Sequence, residues 1–161
     1  MSTSPAIPGG LLSEFGREAF RLEILGEHGS GWPAEYGTGP WCRVVRAAQE
    51  AGKRMYRVHV LTRPLCPCAE GGLVWGLVRY VAAGEEYYVL DVTEQENPIP
   101  QAPEFWLFDD ETVAAPRYGA DGEYLGVDLP GGGRVPEFRV YRDTAMAHAV
   151  PFTEWWAKYR T

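Results

Sequence analysis

A chain of 161 residues suits one domain with a proper core. Its 45% hydrophobic and 13% aromatic content, with six tryptophans, excludes intrinsic disorder along most of its length. A net charge of −7 without any basic run speaks against a surface that binds phosphate backbones, and no run of about 18 apolar residues suggests a transmembrane helix.

In chain order, the opening MSTSPAIPGG has neither a basic nor an apolar signal region. It reads as a flexible leader over 1–10, ahead of a single domain over 11–161. EAFRLEILGEH alternates, with Phe20, Leu22 and Ile24 on one side and Arg21 and Glu23 opposite, and predicts a strand. GSGWPAEYGTGP is a loop by composition. WCRVVRAAQEAG predicts a helix, its apolar stripe formed by Trp41, Val44, Val45 and Ala48 and its end marked by Gly52. KRMYRVHVLT predicts a strand with Tyr56, Val58 and Val60 on one face and Met55, Arg57, His59 and Leu61 on the other. Arg43, Arg46, Lys53, Arg54 and Arg57 read as a solvated helix face and strand end.

After the cysteine-bearing TRPLCPCAEGG, the stretch GGLVWGLVRYVAAGEE is apolar on nearly every side and predicts a buried helix capped by Gly84. EYYVLDV predicts another strand, and TEQENPIPQAPE a polar connection. Residues 105–109, 112–118 and 123–129 read as a β-meander turning at DDE and at ADGE, where Asp121 precedes glycine. PGGGR interrupts the chain. VPEFRVYRDTAMAHAV predicts a helix with Pro136 in its first turn and Val135, Phe138, Arg142 and Ala145 on one face. TEWWAKYR predicts a last helix with Thr153 as its N-cap. The expected fold is mixed α/β, with a sheet of about six strands flanked by about four helices.

The segments AFRLE, AGKRMYRVHVLTRPL, AGEEYYVLD, FWLFDD and RDTAMAHAVPF together resemble a family of unknown function found in actinobacteria. Genes of that family often neighbour helix-turn-helix regulators. The likeness runs from about Phe15 to Tyr159, with FWLFDD and RDTAMAHAVPF its most specific parts. It implies no catalytic residues and suggests a regulatory or interaction role, with such a regulator as partner. Two departures stand out: Cys66-Pro67-Cys68 where a polar and aromatic segment is expected, and His59 where arginine is expected. A looser likeness joins the chain to phospholipase-D-type α/β sandwiches. That chemistry needs paired His-x-Lys signatures, and His28, His59 and His148 stand in none.

Several groups are candidates for chemistry. Cys66 and Cys68 supply two thiols where a zinc site needs three or four ligands, so no metal is expected. One of them is a candidate nucleophile at a helix start; the plainer reading is a proline-fixed loop. Three cysteines with no export signal suggest reduced thiols in the cytoplasm. Asp109 and Asp110, with Glu111, are candidate acids or cation ligands, although a hairpin turn also calls for them. Arg57 and His59 share a strand face and need partners if buried, with Glu85, Glu86 and Asp91 within reach. A structural ion pair is the default, and a cluster for an anionic small molecule the alternative. Arg57, Arg63 and Trp106 are therefore the candidate ligand-binding residues. Trp155, Trp156 and Tyr159 are expected to dock on the body, or else to form a dimer or partner surface. No cofactor and no direct nucleic-acid contact are expected. The leading expectation is a cytoplasmic regulatory or interaction domain that binds a protein or small ligand. The alternative is a small enzyme of specialised metabolism built on Cys66 and Cys68 with His59, or on Asp109 and Asp110.

Overall fold

The computed structural model describes residues 10–24, 38–65, 77–120 and 123–159. The elements are α1 (Leu11–Glu14), β1 (Glu18–Ile24), α2 (Thr38–Glu50), β2 (Arg54–Leu61), a π-helical turn (Leu77–Val81), β3 (Glu86–Asp91), β4 (Phe105–Phe108), β5 (Thr112–Tyr118), β6 (Tyr124–Asp128), a 3-10 turn (Gly132–Arg134), α3 (Val135–His148), β7 (Val150–Pro151) and α4 (Phe152–Tyr159). The fold is mixed α/β, as expected. Its sheet has seven strands in the order β6-β5-β4-β1-β2-β3-β7. β1, β2 and β3 run parallel, while β4 and β7 are antiparallel to β1 and β3 respectively. β4, β5 and β6 form the antiparallel meander.

Both faces of the sheet are covered, which is the usual condition of parallel strands joined by helical crossovers. On one face, Ala19, Met55, Leu61, Val89 and Phe108 meet Val45 and Ala48 of α2, Tyr80 and Ala83 of the π-helical stretch, and Phe152 and Trp155 of α4. On the other, Phe20, Leu22, Val58, Val60, Leu90, Phe105 and Leu107 meet Val135, Phe138 and Ala145 of α3, with Ile99 and Ala102 from the connection after β3.

Local chemistry sets the ends of the elements. Gly52 adopts φ 75° and terminates α2, and the Lys53 amide returns to the Ala48 carbonyl at 2.9 Å. Asp109 and Asp110 take φ of 52° and 63°, the two left-handed positions of a tight hairpin. The Asp109 carboxylate offsets that conformation by accepting the amides of Gly16 (2.6 Å), Arg17 (2.6 Å) and Glu18 (3.0 Å). These bonds outweigh its burial and hold its carboxyl below the usual range.

Three expectations need correction. The expected buried helix after the cysteine loop is, in its described part, a π-helical turn with Arg79, Val81 and Ala82 exposed. It packs beside α2, and Tyr80 and Ala83 of it reach the core. Thr153 lies inside α4, which begins at Phe152, and is not its cap. Arg57 does not belong to a solvated basic patch, because it is 3% exposed. Arg21 and Glu23, on the strand face opposite Phe20 and Leu22, are buried as well, since α2 and the π-helical stretch cover their side of the sheet. Residues 25–37, Cys66 to Cys68 and the Asp121–Gly122 turn lie outside the described residues.

Candidate functional site

Strand register lines up Trp106, Arg21, Arg57 and Tyr87 as one row across β4, β1, β2 and β3, with Glu23 and His59 paired one step along. All six side chains are buried. Glu23 accepts from Arg21 Nη1 (2.7 Å) and Arg57 Nη1 (2.9 Å) and makes a close contact with His59 Nε2. Glu85, just ahead of β3, takes Arg57 in a fork, from Nε at 2.6 Å and Nη2 at 3.0 Å, and also accepts the Trp41 indole N–H at 3.0 Å. Burial alone would raise the Glu23 carboxyl, but Arg21, His59 and Arg57 outweigh it and hold it well below the usual carboxylate range. Burial would likewise strip the Arg57 proton, and Glu85 keeps the guanidinium charged. Trp41, Tyr80 and Tyr87 surround Arg57 at 5.1–5.6 Å from guanidinium carbon to ring centre. Arg57, His59 and Trp106 are thus brought together. Glu23 and Glu85 match the guanidinium charges of Arg21 and Arg57, so the arrangement is a salt-bridge network inside the core.

Where β1 ends and β4 begins, Glu104 Oε1 accepts the Ile24 amide at 3.0 Å. Burial first, then the nearby Glu23, push the Glu104 carboxyl up. A folded-state value above the unfolded one contributes stability that is complete at low pH and lost as pH rises through the folded value. Glu104→Gln keeps the acceptor for Ile24 and cannot ionise. Its stability relative to the wild type is expected to improve steadily from about pH 4.5 to pH 7, read from urea midpoints across that range.

The open site lies at the carboxyl ends of β2 and β3, where ligands of open α/β sheets usually bind. Two adjoining lobes of about 380 Å³ and 390 Å³ share Arg63, Trp155 and Tyr159. The first lobe adds Asp91, Glu94, His148, Glu154 and Lys158, among others. The second adds Pro64, Leu65, Thr93 and Trp156. Asp91 organises the junction. Its Oδ2 accepts Arg63 Nε at 2.5 Å and the Trp155 indole N–H at 2.8 Å, and its Oδ1 accepts the Thr93 amide at 3.0 Å and the Thr93 hydroxyl at 2.5 Å. Burial works to raise the Asp91 carboxyl; Thr93, Trp155 and Arg63 win and hold it low. The Arg63 guanidinium lies 3.8 Å from the centre of the Tyr159 ring. α4 packs through Phe152 and Trp155, and Trp156 stacks on Phe152 with 17° between planes. The aromatic end therefore docks on the body, and its outer edge walls the cleft.

The remaining candidates are placed apart from it. Asp109 is engaged with the backbone ahead of β1, and Asp110 pairs with Arg142 of α3. Glu86 pairs with Arg54 on the opposite sheet face from Arg57. Cys66 and Cys68 lie outside the described residues, and the third cysteine, Cys42, is a buried residue of α2. Among the described residues, no group of three His, Cys, Asp or Glu is set to hold a metal ion, and no helix is long and apolar enough to cross a membrane. Sequence reading reached Arg63 but not its partners Asp91, Trp155 and Tyr159. The spacing from 63 to 159 carries no local pattern: the parallel pairing of β2 with β3 brings Arg63 to Asp91, and the pairing of β7 with β3 sets down α4 with Trp155 and Tyr159.

No curated protein matches the chain. The model of a family described as a domain of unknown function, DUF6879, matches residues 9–157. That span holds all seven strands and most of α4, and on it the chain belongs to the DUF6879 family.

Proposed function

We propose that this protein is a regulatory binding domain of the actinobacterial cytoplasm, without catalysis of its own. It takes a small ligand in the two-lobed cleft and passes the signal to a helix-turn-helix regulator. One observation carries this reading: Arg63 is fixed over Tyr159 by Asp91 at the mouth of a concave, aromatic-walled site at the strand ends. Cavities of this size, with an apolar wall and a few fixed polar groups, are the usual form of small-molecule sites. A kinship with phospholipase-D-type sandwiches, in fold and not in reaction, agrees with it.

The test is a thermal-shift series with a small-metabolite extract of an actinobacterium. The extract is expected to raise the melting temperature of the wild type and to leave Trp156→Ala unmoved. Trp156 is only half-buried while Trp155 holds α4 in the core, so that variant keeps its fold. An equal shift in both proteins, or none in either, overturns the reading. Gel filtration with the neighbouring regulator tests the partner, and a dimer split by Trp156→Ala would assign the surface to a second copy instead.

A second reading has its own observation. Leu65 lines the cleft and directly precedes Cys66 in the sequence. Alkylation of Cys66 or Cys68 far faster than a model thiol at neutral pH would favour the small enzyme.

A further inference from the structure

The two lobes differ in chemistry in a way that defines a ligand. Beyond the shared junction, the first carries Glu94, Glu154 and Lys158. The second is lined by Pro64, Leu65 and Trp156 with Thr93 as its polar member. Both lobes have apolar walls, but charged side chains of both signs beyond Arg63 belong to the first alone, and Arg63 lines both.

Arg63 is prepared for a planar anion. A guanidinium has five N–H donors, and Asp91 takes the one on Nε. Nη2 lies 3.5 Å from Glu94 Oε1, too long for a strong hydrogen bond. Stacking on Tyr159 and the bond to Asp91 fix the plane of the fork, so its outer edge meets a carboxylate with little further loss of freedom. Glu94 and Glu154, on the same chamber, suit an ammonium group.

Resting on the reading of the cleft as a small-ligand site, we propose that its ligand is a free α-amino acid with an apolar side chain. The α-carboxylate lies on the Arg63 edge, the α-ammonium faces Glu94 and Glu154, and the side chain enters the chamber of Pro64, Leu65 and Trp156.

Calorimetric titration with L-leucine, L-leucinamide and N-acetyl-L-leucine tests this. The amide lacks the carboxylate and the acetyl derivative lacks the ammonium. L-leucine is expected to bind the wild type, with each blocked form weaker by about 10–100-fold, the range for losing a hydrogen bond to a charged group. Arg63→Gln is expected to weaken L-leucine by a similar factor and leave L-leucinamide unchanged, which a general loss of structure would not do. Equal binding of the three compounds, or equal losses for L-leucine and L-leucinamide in Arg63→Gln, overturns the assignment. Should the metabolite extract stabilise the protein while L-leucine, L-phenylalanine and L-tryptophan do not bind, the ligand class fails and the cleft stands as a site. Should neither act, both fail.

Discussion

Glu23→Ala is expected to lose about 3–5 kcal/mol of folding stability, the scale for removing one partner from a buried ion pair. Glu23 is 7% exposed and its oxygens serve Arg21, Arg57 and His59 together. Glu85 still holds Arg57 in the variant, but Arg21 and His59 lose their carboxylate in the core. Against a typical total of about 5–15 kcal/mol, a loss of that size brings the protein close to unfolding at room temperature, read as a collapse of the urea midpoint. The same residue sets an acid limit. Its folded-state value lies well below the ordinary 4.5, so the stability it contributes is present above that ordinary value and drains away as pH falls toward the folded one. Asp91 and Asp109 are lowered in the same sense and add to the acid loss, whereas Glu104 opposes it. An unchanged urea midpoint for Glu23→Ala would mean that the network relaxes around the gap, against a structural role for it.

Phe138→Ala is the second large effect. Phe138 is 1% exposed and meets Phe105 edge-on at 5.0 Å and Tyr141 at 5.6 Å between ring centres. It is the largest of the three buried residues of α3, the helix that packs on that sheet face beside Ile99 and Ala102. Truncation removes the ring's transfer energy and leaves a cavity under that helix, for a loss of about 3–5 kcal/mol. Val140 on the same helix is 61% exposed, and Val140→Ala is expected to stay within about 0.5 kcal/mol of the wild type. Comparable losses for the two variants would place the helix differently on the sheet.

These two side chains also mark how far the sequence could be read. Phe138 belongs to a helical stripe with Val135, Arg142 and Ala145, and that stripe found the buried face. Even Arg142, an arginine on an apolar stripe, is largely covered and pairs with Glu18 and Asp110. Glu23 was not legible. Alternation with Phe20 and Leu22 put it on the opposite face, and a period of two separates the faces of a strand without saying what covers either one. Charges on a doubly covered strand look identical to charges on a solvated one until a helix is placed above them. Glu85 was one of three partners expected for Arg57, and of the other two Glu86 pairs with Arg54 and Asp91 with Arg63. The cleft was legible only as isolated residues, Arg63 in one place and Trp155, Trp156 and Tyr159 in another. β7, two exposed residues with a proline, offers no period at all.

The strand order also governs how the chain gets to its fold in time. β1, the first strand to be made, stands in the middle of the sheet, between β2 and β4. Phe20 and Leu22 face Leu107 and Phe105 across that seam, and the hairpin at Asp109 ties back to the amides of Gly16, Arg17 and Glu18. While the ribosome works through the intervening residues, one flank of β1 has no partner and its aromatic side stays open to wrong neighbours. A topology that closes on so distant a pairing folds slowly for its size, and its nascent form is prone to aggregate. That flank of β1 is closed only once Phe105 to Phe108 have been made.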